Sequence, residues 1–329
     1  MICEFEHNIF SFDLDDFDSL ALRIFEFQYR NNSLYRQFTD AIYTDISDIK
    51  LVTQIPFLPI QFFKGHEVKT GEFNPQTVFE SSGTSQTINS RHLVRQLNIY
   101  QQSFSTGFRL FYGDVKEYCI LALLPAYLER QHSSLVMMVD ELIRKSAHPD
   151  SGFYLYDHDK LFDTLQRLEA AGQKTILIGV TFALLDFAEK YSLPLKHTII
   201  METGGMKGRR EELVREQVHQ LLTVSFGVES IHSEYGMTEL LSQAYSKGNG
   251  LFQSPPWLKI VLRDEDDPLT VSLQSRRGLI NVIDFANIYS CSFIATDDVG
   301  QLHSNGDFEV LGRLDNSDIR GCSLLLSAD

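Results

Sequence analysis

Cysteine is scarce, and the four that occur, Cys3, Cys119, Cys291 and Cys322, form no Cys-x-x-Cys pair. That spacing argues against a structural zinc site. Positive charge is also short: 29 Lys and Arg stand against 44 Asp and Glu, for a net charge of −15. Nucleic acid needs a basic footprint, so no nucleic-acid partner is expected. An anionic membrane surface is disfavoured for the same reason. A nucleotide remains admissible, because local dipoles and a metal can overrule the mean field. No apolar run approaches the ~20 residues of a membrane span. The acidic start, Met1-Ile2-Cys3-Glu4-Phe5-Glu6, lacks a signal-peptide pattern. The expectation from these absences is a cytoplasmic chain with reduced thiols. Internal repeats and low-complexity tracts are missing as well.

What is present is ordinary globular composition: 329 residues, 43% hydrophobic and 22% charged, enough to bury a substantial core in one large domain or two lobes. Phe17, Leu20, Ile24 and Phe27 recur at helical spacing and predict an N-terminal helical region. Helices are expected over Arg91 to Phe111, Ser133 to Arg144, Leu161 to Ala170, Phe182 to Tyr191 and Glu211 to Leu222. Buried strands are expected at Tyr118 to Leu124, Thr175 to Val180, Thr198 to Met201 and Ser230 to Ser233. This alternation predicts an α/β fold with mostly parallel strands flanked by helices, and ligands beyond the carboxyl ends of the strands. After Gly250 the pattern changes to short strands, at Leu258 to Leu262, Leu279 to Asp284, Ser292 to Thr296 and Phe308 to Leu311. Two regions are therefore expected, 1–250 and a smaller β-rich lobe 251–329.

Four segments carry chemistry-bearing residues. Ser81, Ser82, Gly83, Thr84 and Ser85 form a run of small residues whose backbone N–H groups and hydroxyls suit an anion. Glu202-Thr203-Gly204-Gly205 follows a strand and lets a flat base approach the backbone. Tyr235-Gly236-Met237-Thr238-Glu239 offers a ring, a hydroxyl and a hard carboxylate oxygen. Thr296-Asp297-Asp298 precedes Leu311-Gly312-Arg313, a carboxylate and a permanently charged guanidinium.

In order and spacing these segments resemble the adenylate-forming (acyl-adenylate) superfamily. A closer resemblance is to the LuxE-type acyl-protein synthetases. It rests on Pro56-Phe57-Leu58-Pro59-Ile60-Gln61-Phe62-Phe63-Lys64, on the Leu124 to Ser134 segment and on Asp318-Ile319-Arg320-Gly321-Cys322. The resemblance implies ATP-dependent activation of a carboxylic acid, expected to be a fatty acid, to acyl-AMP, with ATP/AMP and Mg²⁺ as cofactors. It implies phosphate binding by residues 81–85, an adenine-side segment at Gly204 and Gly205, and adenine stacking by Tyr235 beside Gly236. Thr238 would meet the α-phosphate and Glu239 the Mg²⁺. Asp298, or Asp297 if the alignment slips by one, would take the ribose hydroxyls with Arg313. His132 would line the acyl or phosphate side, with a capping role for Ser133 as the plain alternative.

Cys322 would accept the acyl group as a thioester and pass it to a partner reductase or carrier protein. The alternative acceptor is coenzyme A or a carrier-protein thiol, as in acyl-CoA or acyl-carrier-protein ligases. Two departures stand out. The phosphate loop lacks the superfamily's following lysine, leaving Arg91 as a substitute. No C-terminal domain with the superfamily's catalytic lysine follows Arg313. These departures motivate a third reading, a degenerate nucleotide-binding protein without catalysis.

Overall fold

The computed structural model describes residues 5–6, 9–10, 16–81, 88–125, 132–205, 213–265, 267, 269–272 and 276–314. Within them the strands, in chain order, are β1 (Leu58–Pro59), β2 (Thr77–Glu80), β3 (Arg91–Val94), β4 (Cys119–Leu123), β5 (Gly152–Phe153), β6 (Thr175–Gly179), β7 (Thr198–Glu202), β8 (His232–Tyr235), β9 (Ala244–Ser246), β10 (Leu251–Gln253), β11 (Leu258–Arg263), β12 (Val271–Ser272), β13 (Arg277–Asp284), β14 (Phe293–Leu302) and β15 (Phe308–Arg313).

The four expected buried strands, β4, β6, β7 and β8, form with the unanticipated two-residue β5 the parallel half of one sheet, in the order β5-β4-β6-β7-β8. Their alternate residues feed two cores. Ile120, Ala122, Ile176 and Ile178 enter the larger one, while Cys119, Leu121, Leu123 and Leu177 enter the smaller one on the other face. A strand covered on both faces must be apolar at every position, which is why these segments read as continuous hydrophobic runs. The helices Ser134–Ser146, His158–Ala170, Thr181–Lys190 and Arg215–Phe226 are the connections between these parallel strands.

Beyond β8 the sheet turns antiparallel and continues as β9-β10-β15-β14-β13-β11-β12, with β1 parallel to β14. β10 pairs with β9 across the division expected at residue 250. The β-rich region is thus an extension of the same sheet. β9 and β10 were not anticipated, because each is three residues long.

The expected helix over Arg91 to Phe111 is corrected at its start. Arg91–Val94 is a strand paired antiparallel with Thr77–Glu80, and the helix runs Leu97–Tyr112. His92, Leu93 and Val94 are all buried by this pairing, so tertiary context outweighs the helical pattern that continues beyond them.

The N-terminal helix Phe17–Asn31 buries Phe17, Leu20, Ile24 and Phe27, as their spacing predicts. Phe17 stacks on Phe285 with ring centroids 4.4 Å apart. Gln28 donates to the carbonyls of Asn287 and Ile288 and accepts from Ser292 N–H. The helix therefore clamps the turn between β13 and β14. No helix among the described residues is long and apolar enough to cross a membrane.

Candidate active site

A cleft of about 2050 Å³ opens where the parallel strands end and the sheet changes direction. Ser81, Gly204, Gly205, Tyr235, Gly236, Thr238, Glu239, Asp298 and Arg313 line it, whereas His132, expected on the acyl or phosphate side, and Arg91 do not. Ser82, Gly83, Thr84, Ser85 and Cys322 lie outside the described residues.

The small-residue run follows β2 in sequence and precedes β3, the antiparallel partner of β2. Ser81 N–H donates to the Ser90 carbonyl at 3.1 Å, and Ser90 N–H donates to Ser81 Oγ at 2.9 Å. Ser81 therefore closes the loop's base. Arg91, the candidate stand-in for the loop lysine, reaches across the hairpin to Glu80 at 3.8 Å. Lys64 lines the cleft. His132 braces β2 from outside: its Nδ1 lies 3.1 Å from the Val78 carbonyl, and its own carbonyl accepts from Glu80 N–H at 2.8 Å. Ser133 Oγ accepts from Val136 N–H and caps the helix Ser134–Ser146, the plain alternative foreseen for it.

β3 also braces the Thr238-Glu239 segment. His92, on β3, sits 2.9 Å by Nδ1 from the Thr238 carbonyl. A carbonyl only accepts, so Nδ1 carries the proton. Burial, opposed by this bond, pulls the His92 ring down to about 4, which keeps it neutral. Glu239 is 6% exposed. Burial pushes its carboxyl up, while the Ser90 hydroxyl and the charges of Arg313 and Lys64 pull it down.

The chain then turns under tight control. Asp284, fully buried, accepts from the N–H groups of Leu241, Ser242 and Ala286 and from the Ser242 hydroxyl. Asn287 donates to the Glu239 carbonyl at 2.8 Å. A buried carboxylate needs this many donors to be tolerated.

Asp298 is the centre of a second group. Tyr235 donates its hydroxyl to Asp298 Oδ2 at 2.8 Å, and Arg313 donates Nε–H to Oδ1 at 3.1 Å. Strand pairing dictates the latter contact, because Asp298 and Arg313 are directly opposed in β14 and β15. Asp297, one residue earlier, accepts from Gln61 at 2.5 Å. The Tyr235 ring packs edge-on against Phe252 and Phe308, at 5.9 and 5.6 Å. Behind this group Arg263 donates to the carbonyls of Ile280 and Thr296 and to Asn281 Oδ1. Burial pulls its guanidinium down to about 10, against the charges of Asp297 and Asp298.

The segment at Glu202 to Gly205 is organised by a residue that motif reasoning left without a role. Glu202 Oε2 accepts from Gly204 N–H at 2.7 Å and from the Thr181 hydroxyl at 3.1 Å. Its Oε1 lies 3.6 Å from both Arg215 Nε and His219 Nε2. Burial pushes this carboxyl up, but His219, Arg215, Gly204 N–H and Ser233 together bring it down to about 2. Gly204 and Gly205 adopt φ of 73° and 93°, which L side chains rarely adopt, so the glycines are required by the backbone. The signal that could have found this hub was an acid at the last position of a buried strand, separated by one residue from two glycines.

A family model described as "Acyl-protein synthetase, LuxE" matches residues 15–329. No curated protein matches the sequence. Among solved structures the chain is similar to ATP-bound MatB from Rhodopseudomonas palustris, at 15% identity and a TM-score of 0.55, over 74% of this chain and 49% of that one. It is similar to 2-hydroxyisobutyryl-CoA ligase with 2-HIB-AMP in the postadenylation state, at 12% identity and 0.63, over 91% and 68%. An open conformation of that ligase, with 2-HIB-AMP and CoA, gives 10% and 0.62, over 90% and 73%. At these identities the likeness is one of fold. The chain spans about half the length of MatB.

Proposed function

Because the chain belongs to the LuxE acyl-protein synthetase family, we propose that it activates a carboxylic acid with ATP and passes the acyl group to a thiol. In the first half-reaction a carboxylate oxygen attacks the α-phosphorus. An oxygen–phosphorus bond forms, the bond to the β-phosphate oxygen breaks, and pyrophosphate leaves. In the second, a thiolate attacks the acyl carbon and AMP leaves. The observation that carries this reading is the convergence, in one cleft, of Asp298 held by Tyr235 and Arg313 with Thr238 and Glu239 and the Gly204-Gly205 turn.

Each group has a role that follows from its surroundings. Asp298 keeps both carboxylate oxygens oriented by its neighbours and accepts the ribose hydroxyls on its remaining lone pairs. Tyr235 acts through Asp298 by its hydroxyl, while its ring forms a wall for the base. Gly204 and Gly205 let the base lie against the backbone. The run Ser81 to Ser85, whose first residue is anchored to Ser90, is assigned to the phosphates on its small-residue composition. Lys64 supplies the cation that the loop lacks, since its charge already reaches Glu239.

Glu239 fits a magnesium ion, being a buried hard-oxygen donor beside the Ser90 hydroxyl. One carboxylate is enough where nucleotide phosphates supply further ligands. When bound, the ion would neutralise charge on the departing pyrophosphate.

The acceptor thiol is Cys322 in this reading, with coenzyme A or a carrier protein as the rival. Transfer onward to a partner reductase or carrier follows from the first alternative. Cys119 and Cys291 are unsuited: burial pushes their thiols up to about 11 and about 12. Incubation with ATP, Mg²⁺ and a panel of acids, followed by mass spectrometry, tests the first step. Acyl-AMP should appear with the wild type. ATP bound without acyl-AMP from any acid would favour a non-catalytic nucleotide-binding protein.

A further inference from the structure

Successive side chains of β8 point to opposite faces. Ser233 turns toward His219, with Oγ 3.4 Å from its Nε2, and Tyr235 toward Asp298. Both belong to the nucleotide face. Glu234 points the other way, toward Tyr100, Tyr112 and Tyr245, whose hydroxyls feel its charge. Tyr245 is its direct partner in the β8–β9 pairing, and Gln243 lies two residues before Tyr245. Glu234 and Gln243 both line the cleft, with Tyr100, Ser134 and Met138 among their neighbours in its wall. Gly236 sits against them: a Cβ there would collide with the Glu234 carboxylate and press on Gln243 Cγ at 3.4 Å.

Among the described residues, the half-buried Glu234 carboxylate and the buried Gln243 Oε1 are without protein partners. Gln243 is 5% exposed, and its Oε1 is buried without a hydrogen bond. Glu234 has no hydrogen bond or ion pair among the described residues. Burial, then the charge of Glu202, pushes its carboxyl up to about 8. Leaving a buried acceptor unmade is expensive, and native proteins do so where a ligand will complete it. A pocket for a plain alkyl chain would have no use for either group.

We propose that the acid activated here carries a hydrogen-bond-donating substituent, a hydroxyl or an ammonium group, that Glu234 and Gln243 receive on the acyl side of the cleft. This rests on the acid-activating reading above. Both residues would act on the choice of acid, since Glu234 faces away from the Tyr235–Asp298 group.

The test traps acyl-adenylate with hydroxylamine, using the full chain, ATP and Mg²⁺. The acids are matched in length and are unsubstituted, hydroxylated or aminated at increasing distance from the carboxylate. The wild type should favour a substituted acid by at least about tenfold in kcat/KM, since a site built to bind a polar group rejects the analogue lacking it. Glu234→Leu combined with Gln243→Leu should bring that ratio toward one. Glu234→Gln distinguishes the two substituents: it should depress ammonium-bearing acids and spare hydroxy acids. Calorimetric binding of the same acids to the wild type should show the same preference, independently of how the variants fold. Equal or better use of the unsubstituted acid by the wild type would overturn the proposal. So would an unchanged ratio in a folded double variant. Hydroxamate from no acid at all is a different result: it overturns the activation reading itself, and this inference falls with it.

Discussion

Asp298 and Asp297 are neighbours with different duties, and the difference is set by a strand partner. Sequence order left the ribose carboxylate ambiguous by one residue. Pairing of β14 with β15 places Asp298 opposite Arg313, and the Tyr235 hydroxyl completes its environment. Asp297 is turned to Gln61. Asp298→Ala should therefore raise the KM for ATP about ten- to a hundredfold, the value of hydrogen bonds to a charged group. Asp297→Ala should change it several times less. Steady-state kinetics at saturating acid measures both, and the reverse order would reassign the ribose contact to Asp297. Tyr235 was legible as a member of its motif but not in its geometry. Its ring is held by Phe252 and Phe308, which arrive from distant strands. Glu202, Arg263 and Glu234 were given no role from sequence, because their importance comes from burial and from groups remote in sequence.

At the scale of elements, the β2–β3 hairpin and the Thr238-Glu239 segment act as one piece through His92. β3 was misread as the start of a helix because four residues of strand precede sixteen of helix with only a short turn between. The parallel strands, by contrast, were readable, since burial on both faces makes every residue apolar.

Burial of His92 makes the fold's stability depend on pH. The folded pKa of about 4 lies below the ordinary 6.5, so the unfolded chain binds more protons between those values. Stability conferred by the neutral ring is complete above pH 6.5 and is lost as pH falls toward 4. From pH 7 to pH 5 this amounts to about 2 kcal/mol. Glu202, held at about 2 against an ordinary 4.5, adds a loss only below pH 4.5. His92→Asn keeps a donor for the Thr238 carbonyl and removes the titration. Urea denaturation of this variant should show a shallower fall between pH 7 and pH 5 than the wild type. An identical fall would mean that His92 is protonated in the folded protein or is not buried there.

For the whole molecule, the change from parallel to antiparallel pairing at β8 and β9 creates the cleft. The α/β class and the β-rich continuation were legible from periodicity. That they share one sheet was not, because it depends on the short β9 and β10. The acyl acceptor is also a question for the whole chain. Cys322 follows Arg313, a residue of the cleft wall, by nine positions. If it accepts the acyl group, incubation with ATP and labelled acid should leave a hydroxylamine-labile label on the protein, and Cys322→Ser should abolish it while acyl-AMP still forms. A label that persists in Cys322→Ser, or that is absent from the wild type while coenzyme A is acylated, would move the account to the coenzyme A alternative.

The central claim is that this cleft joins a carboxylic acid to AMP with Glu239 in the reacting centre. Acid-dependent exchange of labelled pyrophosphate into ATP measures that step alone, in the absence of any thiol acceptor. The wild type should exchange label only when a suitable acid is present, and Glu239→Gln should reduce the rate by about a hundredfold or more, the scale of losing an electrostatic contact to transition-state charge, while remaining folded. Exchange that ignores the acid, or that survives undiminished in Glu239→Gln, would contradict it.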